Sequence, residues 1–133
     1  MLAIALNDNG EATSIADIAD KETISVAYLE QLLNKLRHKG LVSSVRGPKG
    51  GYVLTKRSAQ ITVGDIVKAL EGSVYPVHCV STRSGSLDAC AKGESCVPKL
   101  VWHKLAKAIS DCLESVTLKD LCAESAKIDG RRK

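Results

Sequence analysis

Residues 25–57 read SVAYLEQLLNKLRHKGLVSSVRGPKGGYVLTKR, and this stretch decides the fold. Ser25 suits an N-cap and Gly40 a C-terminal stop, so a helix is expected between them. A step of about 100° per residue puts Val26, Leu29, Leu33 and Leu36 on one stripe. The opposite face then carries Tyr28, Gln31, Lys35 and His38. Two β-branched runs follow, residues 41–45 and 52–55, separated by RGPKGG, whose glycines and proline mark a turn. Arg46 and Lys49 would project from its tip. Between Gln31 and Gln60 there are seven Lys or Arg and no Asp or Glu. A helix with a polar outer face and a basic β-wing suits a DNA major groove and its flanking phosphates. A merely solvated helix and hairpin is the plainer alternative. The single sign of charge and the residues upstream argue against it.

Those upstream residues supply the rest of the unit. Ser14 caps a short helix, residues 14–20, with Ile15, Ile18 and Ala19 on one side. Residues 21–24 make the turn, which completes a helix-turn-helix; the hairpin makes it winged. Before it, residues 1–6 (MLAIAL) read as the second half of a helix whose first half is absent. Downstream, Thr62 and Asp65 form a near capping box for a helix running to about Leu70, and Gly72 ends it. Residues 73–95 break all periodicity. Pro98 fits the first turn of a helix reaching Ser115, with Val101, Leu105, Ala108, Ile109, Cys112 and Val116 in a broad apolar stripe. At about 27 Å this helix exceeds what a small winged unit needs, and it is expected to dimerise. Thr117 and Asp120 open a last short helix to Ser125.

The expected fold is mainly α. A winged helix-turn-helix fills 1–72 and a cysteine-bearing loop 73–97. A dimerisation helix and a short terminal helix fill 98–125, and a disordered basic tail 126–133. The 133 residues, 44% apolar with no Phe and one Trp, allow one domain with an aliphatic core. Net charge is only +4, so the local concentration of cations, rather than the total, points to an anionic partner. No apolar run approaches the roughly 20 residues of a membrane span, and no signal peptide is visible. A cytoplasmic location is expected. No nucleophile–base pair or phosphate-binding loop is evident, so an enzyme is not expected.

Five cysteines in a reducing compartment are more readily ligands, redox thiols or core residues than disulfides. Cys79, Cys90 and Cys96 lie in or beside the aperiodic loop, ten and then five residues apart. Zinc sites favour a tight Cys pair, which is missing here; widely spaced thiolates suit an iron–sulfur cluster. Reduced, unliganded thiols are the alternative. Cys112, in the apolar stripe of the long helix, and Cys122, inside the last helix, read as core residues.

Taken together, these motifs resemble the Rrf2 (Rrf-two) family of winged-helix regulators, which includes an iron–sulfur cluster regulator and a nitric-oxide-sensitive repressor. The matching stretches are YLEQLL at 28–33, KLR at 35–37, GLVSSVRGP at 40–48, GGY at 50–52 and ITVGD at 61–65. Three loop cysteines, Trp102 and VTL at 116–118 continue the match. The resemblance implies a homodimer on a palindromic double-stranded operator, with a 2Fe–2S or 4Fe–4S cluster on Cys79, Cys90 and Cys96 tuning affinity. It implies that Ser25, Tyr28, Glu30 and Gln31 meet the major groove and that Arg46 enters the minor groove. Lys35 or Lys49 would neutralise phosphate. A fourth cluster ligand stays open, with His78 better placed than His103; Lys99 stands where one subgroup has a histidine. Alternatives are a DNA-binding thiol-redox regulator without a cluster, and a truncated member acting through protein partners.

Overall fold

The computed structural model describes residues 1–7, 11–72, 74–77, 80 and 96–131. Among them run, in order, α1 (Leu2–Leu6), α2 (Ile15–Glu22), α3 (Val26–His38), β1 (Val42–Val45), β2 (Gly51–Leu54), a 3₁₀ turn (Ser58–Gln60), α4 (Val63–Glu71), α5 (Lys99–Ser115) and α6 (Leu118–Arg131). The two strands pair antiparallel, Val42 opposite Leu54 and Val45 opposite Gly51. This is a mainly helical winged helix-turn-helix, as the sequence predicts.

Local chemistry sets the boundaries. The Ser14 hydroxyl accepts from the Asp17 amide at 3.0 Å, and that of Ser25 from the Tyr28 amide at 3.3 Å. Helix α3 ends in a Schellman arrangement: Gly40, at φ 68°, donates to Arg37, while Leu41 donates back to Leu36 at 3.0 Å. Leu36 and Leu41 are both buried, giving the apolar contact that accompanies this cap. The turn between α2 and α3 is tighter than expected, because α2 continues to Glu22. Thr23 alone reverses the chain, in the left-handed region at φ 55°. A β-branched residue is strained there.

The core joins α1, α2, α3, β1 and the start of α6, with Leu33, Val42, Ile61 and Leu118 almost wholly buried. Leu118 places the terminal helix inside the winged unit. Expected as a short appendage ending at Ser125 before a disordered tail, α6 instead reaches Arg131 and packs against α1. Contact with α1 and the Lys127–Glu124 pair support the added turns. Two threonine-headed starts lie side by side at its base. Thr62 and Asp65 form a full capping box on α4, and Thr117 and Asp120 exchange the same bonds on α6. Between them, the Val63 amide donates to Val116 at 2.8 Å and the Leu118 amide to Ile61 at 2.9 Å. The Thr117 hydroxyl holds the Asp120 carboxyl below the usual carboxylate range.

Helix α5 is the exception. No residue of it is buried. Leu100, Val101 and Leu105 are 62, 63 and 42% exposed, and Cys112, read as core from its stripe, is exposed too. Among the described residues it packs chiefly on α4, which it meets where Gly64 leaves no room for a Cβ beside Glu114. Lys68 and Glu114 pair across this contact. Their hydrogen bond raises the Lys68 pKa and lowers that of Glu114.

Candidate nucleic-acid interface

The basic hairpin is fixed by backbone geometry. Gly47 sits at φ 123°, and the Gly50 amide closes a turn onto its carbonyl at 2.9 Å, leaving Pro48 and Lys49 at the tip. A Cβ on Gly50 would lie 2.6 Å from the Val45 carbonyl oxygen. The wing is also tied at both ends. Thr13, just before α2, exchanges two backbone hydrogen bonds with Tyr52, at 3.0 and 2.9 Å. The Thr55 hydroxyl donates to the Gly40 carbonyl at the end of α3. The Thr13 bridge requires Gly51, because any Cβ there would come 2.2 Å from the Thr13 carbonyl oxygen. One non-local residue therefore locks the wing to the helix-turn-helix. A single bridging residue leaves no alternating pattern, so the sequence carried no sign of it.

On this frame Ser25, Tyr28, Glu30, Gln31, Lys35, Arg46 and Lys49 are all exposed; Tyr28 is 53% so. The Ser25 oxygen accepts the cap bond from the Tyr28 amide, which leaves its O–H to donate. Lys35 is tethered: its ammonium donates to the Leu70 carbonyl at the end of α4, at 3.2 Å. Two of its three N–H donors remain for a ligand. Among the described residues the ion pairs are Lys68–Glu114, Lys107–Asp111 and Lys127–Glu124. None touches the reading head, so its cations stay uncompensated. Val26, expected in the core, is instead 43% exposed.

Of the three loop cysteines only Cys96 lies among the described residues. It is half-buried, outside any disulfide, and its carbonyl accepts from the Lys99 amide at 3.1 Å as α5 begins. Cys79, Cys90 and His78 lie outside them, and no metal-holding group of three or more His, Cys, Asp or Glu forms among the described residues. A free thiol in a three-thiol set has the donor chemistry that iron–sulfur ligation uses. His103 is exposed and lines a groove of about 630 Å³ between α4 and α5, which Val80 also lines from a buried position. No helix among the described residues is long and apolar enough to cross a membrane.

Comparison with known proteins agrees with this geometry. A family model described as an iron-dependent transcriptional regulator, Rrf2, matches residues 1–124. The HTH-type transcriptional regulator IscR of Cronobacter sakazakii is 38% identical over 129 residues, 97% of this chain and 76% of that protein. IscR of Erwinia tasmaniensis is 40% identical over 121 residues, covering 91% and 70%. Among solved structures, T. potens IscR superposes with a TM-score of 0.73 at 35% identity, covering 93% of this chain and 78% of that one. CymR, the global cysteine regulator of B. subtilis, gives 0.72 at 36% identity, covering 92% and 87%.

Proposed function

This chain belongs to the Rrf2 family of DNA-binding transcriptional regulators rather than to any enzyme class, and we propose that it acts as a homodimer on a palindromic operator, in the cytoplasm. Its operator affinity is set by an iron–sulfur cluster on Cys79, Cys90 and Cys96. The observation that carries the DNA half is that every candidate contact on α3 and the wing is exposed, while no ion pair among the described residues ties up their cations. Gln31 has the donor and acceptor needed for adenine N6 and N7, and Glu30 accepts from cytosine N4. Ser25 and Tyr28 donate hydroxyls at the helix start. Arg46 enters the minor groove, while Lys35 and Lys49 neutralise phosphates. The apolar face of α5, open to solvent in a single chain, supports dimerisation through that helix.

When bound, the cluster supplies thiolate-held iron that responds to oxidation or nitric oxide. The rest falls to the chain itself. Cys96 stands at the foot of α5, α5 packs on α4, and α4 packs on α3. Lys68–Glu114 ties the first pair of helices, and Lys35–Leu70 the second. A displacement at Cys96 would thus alter the placement of α3 within the dimer. A thiol switch without a cluster is the second reading, supported by the likeness to the cysteine regulator CymR.

The test starts from duplexes enriched out of a random pool by the purified protein. Two half-sites one helical turn apart, with binding weakened steeply by salt, are expected. A folded protein that enriches no sequence and protects no duplex at low salt would overturn the reading.

A further inference from the structure

Val26 opens α3, immediately after the Ser25 cap. By helical angle it belongs near the Leu29, Leu33 and Leu36 stripe, yet it is 43% exposed and lies outside the core cluster. The reason is its position at the very first turn. The apolar residue that closes the start of this helix onto the core is Ile24, on the other side of the cap, packed against the cluster that holds Leu29. Val26 is left outside the core cluster. Its neighbour Ala27 is exposed as well, so two apolar side chains stand open at the helix start, between the hydroxyls of Ser25 and Tyr28. On a helix surface, residues four apart are neighbours. Val26 therefore adjoins Glu30, and Ala27 adjoins Gln31, the two side chains assigned to base edges.

In the major groove the one apolar feature of a base pair is the thymine C5 methyl. We propose that Val26 reads a thymine methyl in each half-site, beside the polar reading by its neighbour Glu30. This rests on the DNA-binding role proposed above.

The test uses the full-length protein and the duplex it enriches from a random pool, with each thymine replaced singly by deoxyuridine, which lacks only that methyl. Within each half-site one replacement should weaken wild-type binding by about fourfold, the worth of one buried methyl-sized group. Val26→Ala should bind the thymine duplex more weakly by a similar factor and lose the distinction at that position alone. Because Val26 is exposed and alanine favours helix, the variant should fold as the wild type does. Arg46→Ala serves as control, binding more weakly throughout while still preferring thymine there. The proposal is overturned if wild type protects the duplex yet ignores every uracil, if the enriched half-sites lack thymine, or if Val26→Ala keeps the wild-type preference. Failure to enrich any duplex would overturn the DNA-binding role with it; the other outcomes leave that role standing.

Discussion

The reading head and helix α5 handle apolar surface in opposite ways. In α3 three leucines are at least 94% buried within their own chain, and the helix is closed at both ends by its own caps. In α5, a longer helix with an equally marked apolar stripe, nothing is buried. The first is finished as a single chain. The second leaves its apolar stripe open, and Cys96 stands just before its first turn. On the function proposed above, stability belongs to the first region and regulation to the second, with α4 packed against both.

The sharpest way to break that contrast is to cut an equivalent group from each side. Leu33→Ala should remove about 2–5 kcal/mol of unfolding stability, whatever the protein concentration. Leu100→Ser with Val101→Ser should change the stability of the isolated chain by only about 0.5 kcal/mol, yet move sedimentation from dimer to monomer. If the α5 pair unfolds the chain as Leu33→Ala does, α5 is internal after all.

Next in size is the wing lock. Gly51→Ala should lower stability by roughly 2–3 kcal/mol, read in urea, and abolish operator binding as the wing leaves Thr13. Arg46→Ala should leave stability alone and weaken specific binding by about 10- to 100-fold, measured by fluorescence anisotropy at fixed salt. A gain follows. Thr23→Gly, relieving a left-handed β-branched residue, should stabilise by about 1 kcal/mol.

The smallest effect concerns pH and the join between the two regions. Glu114, with its pKa lowered by Lys68, stabilises the fold above the ordinary carboxylate pKa, about 4. That contribution disappears as pH falls through the lowered value. Lys68, with a raised pKa, stabilises below its ordinary pKa and ceases to as pH climbs through the raised one. Both side chains are about half exposed, so the effect is slight. Glu114→Gln should flatten the acid limb of a stability–pH curve measured by thermal unfolding.

What the sequence disclosed follows from how local the cause is. Ser14, Ser25, Thr62 and Thr117 were legible as caps because each acts within three residues. Gly40 was legible as a stop for the same reason. The Thr13 bridge was not, since it joins one residue to another 39 positions away. Angular position alone misplaces Val26, because it ignores how little core lies beside a first turn. The length of α6 is not legible in the sequence, because its later turns rest on α1, far off along the chain. The apolar stripe of α5 is legible, whereas its exposure depends on how the rest of the chain packs.

The most direct measurement combines iron with DNA. The protein is purified anaerobically, its visible absorbance, iron and sulfide are counted, and its operator affinity is measured before and after the iron is removed. Expected is a brown protein with iron and sulfide on each chain, both lost in Cys96→Ser, and an affinity that changes when iron leaves. A colourless, iron-free protein from the same preparation, binding its operator equally well whatever its history, would contradict it.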